Sequence, residues 1–215
     1  MTAEILPFNP LDKKNLGASV AEAILTSIPH RMDKLEEFKG AGIYTLYYSG
    51  DFPLYQEISR RNNDGDFNAP IYIGKAVPDG ARKGSSLTAN YSGKALFKRL
   101  RDHIDSINAV SNLQIQDFHC RFLIVDDIWI PLGESLLIAR YSPVWNYLLD
   151  GFGNHAPGSG RRDSMRPKWD MVHPGRKWAS ALKERNESTE DIEREITHHL
   201  RNTTFPTSTR FIVSP

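Results

Sequence analysis

The spacing of apolar positions changes several times along the chain, and each change marks an element. Val20, Ile24 and Ile28 recur every four residues, a stripe that predicts a helix over Ala18 to Ile28, ended by Pro29. Met32 to Phe38 suits a second short helix. Then the period shortens: Gly42 to Tyr48, GIYTLYY, is dense in aromatic and β-branched residues and reads as a strand. Ile71 to Gly74 reads as the next strand and is expected to pair with it, residues 49 to 69 forming an insertion with a polar loop over Arg60 to Pro70. After a loop over Val77 to Ser92, Leu96, Leu100, Ile104 and Ile107 line one face of a helix expected over Gly93 to Asn108. Phe118 to Val125 predicts a third strand. Pro131 to Tyr141 predicts a helix with proline in its first turn and Ser142-Pro143 at its stop. Asp150 to Arg162 is glycine-rich and offers little that is regular. Ser188 to Arg201 reads as a capped helix with Ile192, Ile196 and Leu200 as its stripe.

These residues alone give a mixed α/β domain with helices beside a small sheet. A length of 215 residues suits one compact domain with attachments, and 40% apolar with 25% charged residues is ordinary for a globular chain. No apolar run is long enough for a membrane span. Met1 to Pro10 lacks a basic stretch followed by an apolar one, so a secretory leader is not expected. The single cysteine, Cys120, excludes an internal disulfide and a cysteine-based zinc site, which fits a reducing cytoplasm. A net charge of +1 names no partner, but its distribution is bipolar. From Lys75 to Arg101 seven basic residues face one acid, Asp79, whereas acids gather from Glu184 to Glu195. Such a chain can turn a basic face to phosphates, or simply carry solvated surfaces of both signs.

Specific chemistry enters with two tripeptides. Gly42-Ile43-Tyr44 and Tyr72-Ile73-Gly74, in that order on consecutive strands, resemble the signature of the GIY-YIG nuclease superfamily. Three further marks follow in order: Arg99 in KRLRDH, Glu134 in PLGESLLI and Asn146 after Pro143. The match covers residues 40 to 147. Several runs (GIYTLYYSG, PIYIGKAVP, RLRDH, DGFGNHAPGSGR and HPGRKWA) look like the type II restriction endonucleases of this superfamily that cut the palindrome CCGCGG. The resemblance implies an α+β fold: a small mixed, mainly antiparallel sheet flanked by helices. It divides the chain into an N-terminal helical extension (1–38), a nuclease core (39–150) and a DNA-binding or dimerisation extension (151–215).

Phosphodiester hydrolysis needs an activated water, charge neutralisation on the phosphate and help for the departing 3′ oxygen. The resemblance makes Glu134 the ligand of a divalent metal, Mg²⁺ or alternatively Mn²⁺. From the residues alone, an ion pair with Arg99 or a helix-dipole role fits Glu134 as well. Arg99 is assigned to the scissile phosphate. His103, one turn further along, is assigned to proton transfer, although a lone helical histidine is more often structural. Tyr44 is expected to be the general base, passing its proton to His103, with Tyr72 positioning phosphate or water. For both tyrosines the common alternative is packing. Asn146 is expected to fix the site by hydrogen bonding, and Lys75 to touch phosphate or serve as a reserve base.

The pool of DNA contacts is Lys75, Arg82, Lys83, Asn154, His155, Arg161 and Arg162, since reading a G·C site calls for donors to guanine O6 and N7. A palindrome implies double-stranded DNA held by a homodimer, or a tetramer of dimers. Other endonucleases of the superfamily, serving repair or mobile elements, usually carry separate DNA-binding modules, for which this chain has little room. A catalytically silent DNA-binding protein is the reading from another class, and the intact Tyr44, Tyr72, Arg99 and Glu134 weigh against it. Neither a Walker phosphate loop nor an HExxH zinc motif is present.

Overall fold

The computed structural model of the chain describes residues 11–78, 93–156 and 164–206. Its strands are β1 (His30–Arg31), β2 (Gly42–Tyr48), β3 (Pro70–Ala76) and β4 (Phe118–Ile124). They form one sheet in the order β1-β4-β2-β3, with every neighbouring pair antiparallel. The helices are α1 (Lys13–Leu25), α2 (Gln56–Asn62), α3 (Ala95–Asn108), α4 (Ile130–Tyr141), α5 (Val144–Tyr147), α6 (Lys168–Val172), α7 (Lys177–Ser180) and α8 (Thr189–Asn202). The α/β fold expected from the sequence is the one found, with a wholly antiparallel rather than a mixed sheet.

The central position of β2 explains its composition. It is paired on both edges and covered on both faces, so each of its residues is buried. Alternate side chains enter different cores. Tyr44, Leu46 and Tyr48 join Leu96, Leu100 and Ile107 of α3. Ile43 joins Ile24 and Leu25 of α1 with Ile130 and Leu137 of α4. The sheet is therefore held between α3 on one face and α1 with α4 on the other. Trp169 of α6 and Ile192, Ile196 and Leu200 of α8 lie in the same core as Tyr44. Described residues after 150 thus contribute to the core on the Tyr44 face of the sheet.

Several boundaries differ from the sequence reading. Helix α1 starts earlier, capped by Asp12, and ends at Leu25, where the Thr26 hydroxyl bonds back to the carbonyl of Glu22. The expected stripe residue Ile28 lies beyond it, 75% exposed. Of the second short helix only a 3₁₀ turn over Met32–Lys34 forms, and His30–Arg31 before it pairs with β4 as an edge strand. The polar run read as loop begins inside α2. Asn62 closes that insertion by donating to the carbonyls of Tyr48 and Ala69 and accepting from the Ala69 amide. Helix α8 has the expected cap, a reciprocal box between Ser188 and Asp191.

Candidate active site

The register of β2 and β3 places the two tyrosines. Tyr44 stands opposite Gly74, while Tyr72 stands opposite Leu46. They are diagonal neighbours on one face, not a directly opposed pair, with ring centroids 6.1 Å apart. Gly74 is the reason Tyr44 fits: a Cβ there would lie 2.3 Å from the Tyr44 hydroxyl oxygen. Gly42 is needed for strand pairing itself, since a Cβ there would lie 1.9 Å from the carbonyl oxygen of Leu123. Both glycines thus permit a close approach that a side chain would block.

Helix α3 lays Arg99 and His103 over this face. The Tyr44 hydroxyl is 2.6 Å from His103 Nε2, and both residues are closed to solvent. Tyr72 is half-buried beside them, its ring 5.3 Å from that of His103. On its other side His103 stacks on Phe152, 4.5 Å away at 10°. Burial first, then the charges of Arg99, His155 and Arg176, hold the His103 pKa well below the ordinary histidine value, so the imidazole is neutral. Burial likewise pushes the Tyr44 phenol well above its usual value, with the Tyr72 charge adding and Arg99 opposing. Tyr72 is raised by burial too, against Arg99 and with help from Glu134. Burial works against the Arg99 charge, but Tyr44, Tyr72 and Asp102 outweigh it and raise its pKa.

A second tyrosine–histidine pair shows what is unusual about the first. Tyr55 lies 2.6 Å from His173 Nε2 and accepts from Trp145 Nε1 at 2.9 Å, while His173 Nδ1 meets Asn112 Oδ1 at 3.0 Å. Every polar atom of that pair is satisfied, as buried groups usually are. His103 Nδ1, by contrast, is buried with no hydrogen-bond partner among the described residues. Thr45 Oγ1, His119 Nδ1 and Trp169 Nε1 are the other buried side-chain atoms without a partner among the described residues.

Glu134 comes from α4, on the far side of the sheet, and reaches the β3 edge. Its carboxylate is 2.6 Å from Lys75 Nζ, with side-chain exposures of 16% and 41% for Glu134 and Lys75. The ion-pair partner is therefore Lys75, not Arg99 as the sequence allowed. The charge of Glu134 adds to the upward shift of Tyr72, so the carboxylate lies within electrostatic reach of that phenol. Among the described residues no group of three or more His, Cys, Asp or Glu could cage a metal. One carboxylate on a half-open rim fits a hard cation that keeps most of its waters and completes its shell with phosphate oxygens. Asn146 on α5 spends both ends of its amide on one residue: Nδ2 donates to the Ile73 carbonyl at 2.7 Å and Oδ1 accepts from the Ile73 amide at 2.8 Å. It pairs with the free edge of β3 as a strand residue would.

Of the expected DNA contacts, Asn154 and His155 are exposed beside α3, and His155 Nε2 lies 3.5 Å from Asp102. Lys75 is exposed but engaged with Glu134. Arg82, Lys83, Arg161 and Arg162 lie outside the described residues. Sequence reasoning missed Phe152, Gly153 and Arg176. Gly153 accepts Arg99 Nη1 at its carbonyl at 2.9 Å, and Arg176 bonds the same loop. Their signs in the sequence are the DGFGN run, which holds Phe152 and Gly153, and the HPGRKWA run, which holds Arg176, but a linear charge count cannot separate a buried arginine from a solvated one. The chain matches the family model described as the Eco29kI GIY-YIG domain over residues 36–200, more than half its length. A search of curated proteins returned no match.

Proposed function

Because the chain belongs to the Eco29kI GIY-YIG family, we propose that it is a type II restriction endonuclease that hydrolyses double-stranded DNA at a short palindrome, CCGCGG. The observation that carries the reading is the buried contact of 2.6 Å between the Tyr44 hydroxyl and His103 Nε2, next to Arg99. A neutral phenol is a poor base. It becomes one when its own proton leaves as it accepts another, and a neutral imidazole with Nε2 free can take that proton. Tyr44 accepts the proton of the attacking water and passes its own to His103. The negative charge that a phosphate brings beside Arg99 offsets the cost of charging a buried imidazole.

Arg99, half-buried with one amino group on Gly153, presents its remaining donors to the scissile phosphate. Glu134 is the residue that would hold the metal, Mg²⁺ or Mn²⁺, with Lys75 yielding or turning to a neighbouring phosphate. A divalent cation there supplies charge neutralisation on the phosphate and help for the departing 3′ oxygen. Residues 151–215 serve DNA binding or dimerisation, and a homodimer gives each strand of the palindrome its own site. One observation favours a second assignment of the base. Tyr72 is the more accessible of the two hydroxyl-bearing residues, which would let it meet the water with the Tyr44–His103 pair behind it.

The test is cleavage of two plasmids, with and without CCGCGG, in magnesium. Discrete fragments from the first alone are expected, lost in Glu134→Ala. Tyr44→Phe should lower the single-turnover rate by about 10²–10⁴, the usual worth of a proton-transfer group. A larger loss in Tyr72→Phe than in Tyr44→Phe would move the base to Tyr72. No cleavage by folded protein with any divalent metal would overturn the nuclease reading.

A further inference from the structure

The segments DGFGN and HPGRKWA have no part in the chemistry just proposed, yet they meet in the fold through one side chain. Arg176, 4% exposed, donates Nε to Asp170 Oδ1 at 2.7 Å and Nη2 to Asp170 Oδ2 at 2.5 Å. Its other donors go to the loop after α5: Nη1 to the carbonyls of Phe152 at 3.1 Å and Asn154 at 3.2 Å, and Nη2 to that of Gly151 at 2.9 Å. The guanidinium also lies against the rings of Trp169 and Trp178, 4.5 and 4.6 Å from their centroids. A planar fork of donors can make all these contacts at once, and a lysine ammonium cannot.

The loop so held makes two contacts with the site. The Gly153 carbonyl accepts Arg99 Nη1 at 2.9 Å, and the Phe152 ring stacks on His103 at 4.5 Å. The loop and the guanidinium are in close contact: a Cβ on residue 153 would lie 2.3 Å from Arg99 Nη2. We propose that Arg176 is a positioning residue of this site, fixing the 151–154 loop and, through Gly153 and Phe152, the working placement of Arg99 and His103. The proposal rests on the nuclease reading above for its effect on rate. The groups facing His103 are Tyr44 from β2, Tyr72 from β3, Arg99 from its own helix, and His155 and Arg176 from the later segments. Burial and the three cationic or titratable bases all disfavour its protonation. Loosening the loop in Arg176→Met removes one charge and opens His103 to water, so its titration should move to higher pH.

The experiment compares the full chain with Arg176→Met, Arg176→Lys and the double variant Asp170→Leu/Arg176→Met. The double variant guards against a folding failure, since it removes the buried charge pair without leaving a lone carboxylate behind. Thermal unfolding, DNA binding without divalent metal, single-turnover cleavage against pH, and the His103 imidazole resonance against pH are measured for each. A misplacement of Arg99 by about 1 Å should lower the cleavage rate by about 10² with binding little changed. The acid limb of the rate and the His103 titration should both shift upward, and Arg176→Lys should not restore the rate. A native rate in any folded variant, full rescue by lysine, or an unmoved His103 titration overturns the proposal. If the native chain cleaves no DNA, the nuclease reading falls, and the His103 titration in Arg176→Lys, which keeps the charge, still decides the positioning role: an upward shift supports it and an unmoved titration overturns it.

Discussion

Gly74→Ala probes the site with a single methyl group, and its size can be worked out from the packing. The new Cβ would lie 2.3 Å from the Tyr44 hydroxyl oxygen, 2.5 Å from Tyr44 Cζ and 3.0 Å from Tyr72 Cε1. Ordinary contact begins near 3.4 Å, so the Tyr44 hydroxyl must retreat by about 1 Å or β3 must move away from it. Tyr44 is fully buried, with β4 on one side and α3 above, and has little room to retreat. Overpacking of this kind costs about 1–3 kcal/mol of stability. The same shift breaks the 2.6 Å contact with His103, and a misplacement of about 1 Å in a reacting group costs about 10² in rate. Single-turnover cleavage under saturating protein reads the rate, urea unfolding reads the stability, and DNA binding without metal should change little, because no phosphate contact is removed. A Gly74→Ala protein that is destabilised as expected yet cuts at the native rate would refute the reasoning. The Tyr44 hydroxyl would then be packing and nothing more.

Two further predictions follow from groups around the site. His103 and His173 are held neutral in the fold, the first well below the ordinary value and the second pushed down to about 3, chiefly by burial. In the unfolded chain both titrate near 6.5, so below that pH the unfolded state binds more protons. Their contribution is complete above about pH 6.5 and is lost as pH falls toward the folded values, at about 1.4 kcal/mol per pH unit for each. Unfolding midpoints in urea between pH 7.5 and 5 should fall accordingly, and a flat profile would show that neither histidine is buried neutral. Asn146→Leu removes both hydrogen bonds to the Ile73 backbone and should cost about 1–3 kcal/mol. Hydrogen exchange at the Ile73 amide reads this directly, and unchanged protection there would show that the edge of β3 does not depend on Asn146.

Legibility in the sequence tracked how local each feature is. The strand β2 was readable to the residue because its pairing on both edges and burial on both faces demand a continuous aromatic and β-branched run. Helices α3 and α8 were readable because each buries one stripe, Leu96 to Ile107 and Ile192 to Leu200. The short helices α2, α6 and α7 were not, because too few apolar positions fall within them to set a period. Their order comes from what they rest against, as Trp169 rests on Trp145 and Phe152. Ile28 misled the reading of α1: periodicity says which residues could share a face, not where the chain leaves the helix.

The candidate site divides in the same way. Tyr44, Tyr72, Arg99, His103, Glu134 and Asn146 could be named before the fold only through the resemblance to the GIY-YIG superfamily, since the residues by themselves fit packing or ion-pair roles as well. That Gly42 and Gly74 must be bare was decided by the tertiary structure, which sets the Leu123 carbonyl against the first and the Tyr44 ring against the second. The partners of these residues were decided only by the tertiary structure. Lys75 rather than Arg99 meets Glu134 because strand alternation sends residue 75 to the α4 side of the sheet. Asn146 spends its amide on Ile73 because β3 is an edge strand with one side of its backbone free. Arg176 reaches the loop beside Arg99 because the chain folds back over the core after residue 150. Contacts between residues far apart in the chain depend on that folding, and no local pattern of side chains encodes them.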